Sequence, residues 1–228
     1  MLPPHRLRRP HAAPSHRPPL LILLHGKGSS EVDLFQLADL FDPRFIVLSL
    51  RAPFQNASGL YRWYERQDTA DGSVYNEEEV RASRLYLVQA INDSVMALGA
   101  DPQQVYLFGF SQGAAMAMSV ALTAPRRIRG LVAIAGRLLP AIAPFGAPAE
   151  SMSHLRVLLQ HGLKDEVVPF AESATACQLF AELSVKQGIR EYAAGHTITP
   201  AMLRDARQFL RVQLDTTLVK DQDGAAQD

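Results

Sequence analysis

Residues 105–123 read VYLFGFSQGAAMAMSVALT. An aliphatic and aromatic run of strand length leads into a serine set between two glycines. A run of small and apolar residues of helical length follows. Gly109-Phe110-Ser111-Gln112-Gly113 matches G-x-S-x-G in the strand–turn–helix context that raises a serine hydroxyl above the end of a sheet. The requirement is steric. Strand and helix nearly touch across so sharp a turn, so the positions two before and two after the serine must be glycine or very small. The same turn aims the Gln112 amide and the start of the helix at the place where a negative oxygen develops during acyl transfer.

Working outward, the chain alternates between short apolar runs and longer amphipathic segments. Residues 20–25 (LLILLH), 44–50 (RFIVLSL), 131–135, 155–161 and 189–193 read as further strands. Residues 31–40, 76–98, 171–187 and 199–214 read as helices, the second opening on Asn76 with three glutamates and stopping at Gly99. Near-continuous aliphatic strands alternating with helices predict a mostly parallel sheet covered on both faces. In such sheets the ligand site lies at the carboxyl ends of the strands. Residues 51–75 read as a long irregular loop, and segments of that length are commonly functional.

A serine hydroxyl is a poor nucleophile at neutral pH and needs a base held by an acid. With the nucleophile on a strand–turn–helix, the acid comes next in the chain and the histidine last. Asp165 lies in the turn after the strand at 155–161, and the adjacent Glu166 is the second candidate for the acid. His196, in Gly195-His196-Thr197, is the last histidine of the chain and the candidate base; His25, His154 and His161 come too early. A second oxyanion donor is expected from the loop after an early strand. Leu24-His25-Gly26-Lys27-Gly28 supplies that loop, with the Lys27 amide paired to that of Gln112, and His25 read as structural. Gly26, Phe54, Tyr61, Trp63, Tyr64, Leu138 and Leu139 are the candidates for lining an acyl slot.

The bulk composition narrows the function further. The 228 residues carry 23 basic and 23 acidic side chains, so nothing favours a nucleic-acid partner. The single cysteine, Cys177, allows no internal disulfide, and a packed helix residue is its simplest reading. No apolar run reaches the roughly 18 residues of a membrane span. Residues 1–18, rich in Pro, Arg and His, lack the apolar core of a secretory signal and read as a flexible arm. Residues 19–214 form the expected catalytic domain and 215–228 a polar tail. A cytoplasmic location follows as the expectation. No ligand set for a metal and no phosphate or dinucleotide loop is present, so neither metal nor cofactor is expected.

Five segments in order, LLHGKGSS, GFSQGAAMAMSVAL, AIAGRLLP, LLQHGLKDEVVP and GHTITPAMLRDARQFL, cover most of residues 20–210. They resemble the phospholipase/carboxylesterase family, which includes the acyl-protein thioesterases. The resemblance implies an α/β-hydrolase fold, with Ser111, Asp165 and His196 as the triad and the Lys27 and Gln112 amides as the oxyanion hole. It also implies a homodimer as the assembly to look for. The chain departs from the family pattern at Lys27 and Ser29, where Leu and Asp are common, and at Glu65 of Arg62-Trp63-Tyr64-Glu65. Residues 136–154 are too few for an inserted cap domain, so the site is expected to be open. The function expected is hydrolysis of small to medium acyl esters through an acyl-enzyme. A thioesterase or lysophospholipase on the same site, or a non-catalytic binding protein with this fold, are the alternatives.

Overall fold

The computed structural model describes residues 2–11, 16–69 and 72–224. Strands β1 (His5–Arg8), β2 (Leu20–Leu24) and β3 (Ile46–Leu50) precede two small hairpins, β4 (Phe54–Gln55) with β5 (Tyr61–Arg62) and β6 (Arg66–Thr69) with β7 (Gly72–Tyr75). The remaining strands are β8 (Val105–Phe110), β9 (Gly130–Ile134), β10 (Arg156–Gly162) and β11 (Lys186–Tyr192). Helices are α1 (Glu31–Phe35), α2 (Glu77–Leu98), α3 (Gln112–Thr123), α4 (Phe170–Glu182) and α5 (Pro200–Gly224). The central sheet runs β1-β3-β2-β8-β9-β10-β11, with every pairing parallel except that of β1 with β3.

Alternation along the strands sorts side chains to the two faces. Leu20, Ile22, Leu24, Val105 and Leu107 pack with residues of α2, α3 and α4. Leu21, Leu23, Tyr106 and Phe108 pack with Leu34, Met202, Ala206, Leu210 and Leu214 beneath α1 and α5. Both faces are therefore dry, which is why β2, β3 and β9 are buried at every position. The fold is a three-layer α/β-hydrolase sandwich. Residues 136–154 contain only short 3-10 turns, at Pro140–Phe145 and Ala149–Ser151.

Three expectations are corrected. The stretch read as a flexible arm contributes β1, which pairs with the outer edge of β3 from His5↔Leu50 to Arg8↔Val47. Leu7 packs against the core, and the Arg51 amide donates to Pro4 O at 3.0 Å, so the edge of β3 is covered rather than left open. Residues 12–15 of that arm lie outside the described residues. The last helix does not stop at Leu214, since no glycine or proline occurs between Pro200 and Gly224 to break it. Asp215 inside that helix pairs with Arg44 at 2.8 Å, and residues 225–228 of the expected tail lie outside the description. Finally, the segment 51–75 is not irregular. Asn56 Oδ1 accepts from the amides of Ser58 and Leu60 and closes the first hairpin, which Tyr61 fastens to Ser29 through a backbone bond of 2.8 Å.

Candidate active site

Ser111 sits at φ 54°, ψ −116° between β8 and α3, a conformation that a side-chain-bearing residue adopts only under constraint. The constraint is visible. A Cβ on Gly109 would lie 2.4 Å from Gly113 O, and one on Gly113 would lie 1.9 Å from Leu24 O. Both glycines are thus required by backbone packed against backbone. The Ser111 amide donates to Ile134 O at 2.9 Å, which pins the turn to β9. Gln112 is the first residue of α3, so its amide has no acceptor within the helix. Its side chain is also engaged: Oε1 accepts from the Trp63 amide at 3.1 Å and Nε2 donates to Tyr64 O at 2.8 Å. One residue therefore ties the turn to the segment between the two hairpins.

The acid and base loops are pressed together by a third glycine. A Cβ on Gly162 would lie 2.3 Å from Ala194 O, and the amides of Leu163 and Lys164 donate to Tyr192 O and Ala194 O at 2.8 and 2.9 Å. In the resulting arrangement His196 Nε2 lies 2.9 Å from Ser111 Oγ, and His196 Nδ1 lies 2.7 Å from Asp165 Oδ2. The imidazole stacks at an angle on Phe110, with ring centres 5.0 Å apart. Asp165 Oδ1 accepts from the amides of Val167 and Val168 at 2.9 and 2.8 Å. Burial pushes the Asp165 carboxyl up, but these amides and His196 outweigh it, and the net effect is below the ordinary range. Asp165 is accordingly an ionised acceptor beside the imidazole. Glu166 is exposed and makes no such contact.

His161 was set aside on chain order, yet it belongs to the same cluster. Its Nε2 lies 2.7 Å from Val168 O and 3.3 Å from Asp165 Oδ2, and its Nδ1 lies 2.6 Å from Ser173 Oγ. A fully buried histidine thus meets the same carboxylate oxygen as His196 does. His25 is buried as well, and burial holds its pKa below the ordinary value. Its Nε2 accepts from the Ala52 amide at 3.1 Å and its Nδ1 lies 2.7 Å from Gly26 O. The second contact fixes Nδ1–H as the proton-bearing nitrogen, so His25 shapes the Gly26–Gly28 loop as expected of a structural residue.

A cavity of about 80 Å³ lies at Ser111, lined by Lys27, Tyr64, Arg66, Gln112, Ala135, Arg137, Val167 and Val168. Beside it is a wider cleft of about 530 Å³, which shares Arg66, Arg137 and Val167 with it. Of the expected lining residues, Gly26 lies against Ser111, 3.5 Å from its Cβ if a side chain were added, and Leu138 lines the wider cleft. Trp63 and Leu139 do not line the site. Trp63 is fully buried with Nε1 donating to His25 O at 2.8 Å, and Leu139 is packed into the core. Phe54 lies under the Arg62 guanidinium, 5.9 Å from its ring centre, and Tyr61 under that of Arg51 at 4.6 Å. Of the aromatic candidates Tyr64 lines the cavity, and Phe54, Tyr61 and Trp63 do not. Arg66 and Arg137 were missed, although Arg137, three residues beyond β9, lies at a strand's carboxyl end where such residues are to be sought. Lys27 projects to the mouth, where Nζ meets Glu65 at 2.8 Å and lowers its pKa.

A covered, mostly parallel sheet with a strained serine between β8 and α3 defines the α/β-hydrolase class. The chain belongs to the phospholipase/carboxylesterase family, whose model matches residues 11–214. It is 28% identical over 149 residues to acyl-protein thioesterase 1 of Gibberella zeae, covering 63% of this chain and 63% of that protein. The chain thus spans less than two thirds of that relative's length. Carboxylesterase SOBER1 of Arabidopsis thaliana is 25% identical over 213 residues, covering 85% of this chain and 90% of that protein. The crystal structure of esterase PE8 is similar with a TM-score of 0.79 and 26% identity, covering 92% of this chain and 99% of that one. Among the described residues no helix is long and apolar enough to cross a membrane.

Proposed function

We propose that this protein is a serine carboxylesterase that hydrolyses small to medium acyl esters through an acyl-enzyme. The observation that carries the reading is the unbroken chain from Ser111 Oγ through His196 to Asp165, at 2.9 and 2.7 Å. His196 takes the Ser111 proton as Oγ attacks the carbonyl, and Asp165 holds the imidazole and stabilises its charged form. The amides of Gln112 and Lys27 receive the developing oxyanion. The proton then passes to the leaving alcohol, and water cleaves the acyl-enzyme by the reverse sequence. No step calls on a cofactor.

Thioesters are the second substrate class, supported by the resemblance to a protein named as an acyl-protein thioesterase. The triad serves either leaving group, so the two are separated by matched oxygen esters and thioesters of one acyl chain. The primary test is hydrolysis of p-nitrophenyl esters of graded acyl length, with a fluorophosphonate probe alongside. The probe is expected to label Ser111, and Ser111→Ala to lower turnover by about a thousand-fold or more while leaving the folded content unchanged. Ester hydrolysis retained by that variant overturns the assignment.

A further inference from the structure

The walls of the cavity at Ser111 are unusual in charge. Among the described residues Lys27, Arg66 and Arg137 line it and no acidic side chain does, while Glu166 and Glu172 line the adjoining cleft. These cations are not equivalent. Lys27 is neutralised at the mouth by Glu65. Arg66 donates through Nε to Ser73 Oγ at 3.2 Å. Arg137 is the buried one, with its side chain only 9% exposed. Its Nη1 donates to Tyr75 Oη at 2.6 Å, its Nη2 lies 3.4 Å from Val167 O, and its ion pair with the half-exposed Glu172 is long, at 3.5 Å. Nε has no hydrogen-bond partner among the described residues. The guanidinium is thus held by Tyr75 and Val167, mostly buried, and left with donor capacity where the small cavity joins the wider cleft.

We infer that Arg137 selects acyl groups ending in a carboxylate, so that the preferred substrates are monoesters of short dicarboxylic acids. This rests on the hydrolase reading above and names the substrate class of that site. Three features agree. The cavity at Ser111 is small, about 80 Å³, and meets the wider cleft at Arg137, which suits a short acyl chain reaching from one to the other. A planar cation beside Ser111 suits a carboxylate at the far end of such a chain, because a guanidinium fork matches carboxylate geometry. Burial strengthens that pairing relative to water. In the reaction the Ser111 Oγ–acyl bond forms as the bond to the alcohol oxygen breaks, and the serine proton leaves on the alcohol by way of His196. Water then releases the diacid, its second carboxylate held at Arg137 throughout. The bulk of the alcohol occupies the wider cleft.

The test compares monobenzyl succinate with benzyl succinamate, its neutral isostere, in the full-length protein. Wild type is expected to favour the hemiester in kcat/KM by about ten-fold or more. Arg137→Gln is expected to bring the ratio close to one, acting mainly through KM, and Arg137→Lys to keep part of it. Because each protein is read as a ratio of two substrates, a general loss of activity cancels. A wild-type ratio of one or less, or a ratio that Arg137→Gln leaves unchanged, overturns the inference. If Arg137→Gln does not fold, inhibition of wild-type benzyl butyrate hydrolysis decides: free succinate must inhibit more strongly than succinamide, and equal inhibition overturns it. Benzyl butyrate turnover and fluorophosphonate labelling keep the two readings apart. Where both succeed with a flat ratio, only the acidic-acyl inference fails; where both fail in folded protein, the hydrolase reading fails and this one with it.

Discussion

Two stretches of chain face each other across the cavity, and they are held by opposite means. The turn around Ser111 is fixed by backbone pressed on backbone, with glycine at 109 and 113 because a single added carbon has nowhere to go. The hairpin segment 51–75 opposite, beyond the backbone bonds of Tyr61 to the Gly28–Ser29 loop, is fixed by side chains: Arg62 and the Glu65 amide on Glu79, Ser83 on Trp63 O, Arg51 bidentate on Glu31. A frame built from backbone sterics tolerates almost no substitution and holds its geometry whatever the substrate. A wall built from side-chain bonds can be exchanged piece by piece. The turn and the wall are thereby separate in construction, and Gln112 is where the two meet.

If that contrast is right, changes in the two regions differ in size. The largest effect is expected from Gly113→Ala, whose new carbon meets Leu24 O and the α3 backbone cannot retreat without moving Ser111. It should cost about 3 kcal/mol or more, read as a fall in the urea midpoint, with activity lost in any protein that still folds. A stable and active Gly113→Ala breaks the comparison at once.

Gln112→Ala keeps the backbone amide at the oxyanion position but strands the Trp63 amide and Tyr64 O. A loss of about 1–3 kcal/mol is expected from two buried groups left unpaired, together with a raised KM as the wall loosens. Should kcat fall with KM unchanged, the side chain is serving the frame instead.

Acid should weaken the fold first where His25 ties the Gly26–Gly28 loop to the Ala52 amide of the wall. His25 and Asp165 both have folded pKa values below their ordinary ones, so the unfolded chain binds more protons as the pH drops. Their contributions are complete above the unfolded values, about 6.5 and about 3.9, and are lost as the pH falls through the lower folded values. Urea midpoints taken from pH 8 down to pH 4 should therefore decline, first through His25. A flat profile contradicts the assignment of a neutral buried His25.

The smallest effect is expected at the rim. Lys27→Met removes an ion pair whose partners are 43% and 36% exposed, worth about 0.5 kcal/mol or less. The Lys27 amide remains in place, so hydrolysis of a neutral ester by this variant should stay within about two-fold of wild type. A large loss would show that the side chain, and not only the amide, serves the reaction.

The glycine-framed turn around Ser111 is legible in the sequence because its signals are local. Gly109, Ser111 and Gly113 lie within one turn, Gly162 and Asp165 within one loop, and each glycine marks a contact that no other residue permits. A mostly parallel sheet covered on both faces followed from apolar runs that must be dry on both sides. The edge strand His5–Arg8 escaped notice because its four residues, HRLR, hold a single apolar side chain, Leu7, which is too little to show a period. The substrate wall was hidden for a different reason. Whether Trp63 fills the core or faces a ligand depends on what lies behind it, and only the folded chain puts His25 O against its indole nitrogen. His161 and Arg137 belong to the same case. Reaching Asp165 or the neighbourhood of Ser111 depends on how three separate loops converge at one end of the sheet, and that convergence is a property of packing rather than of any stretch of sequence.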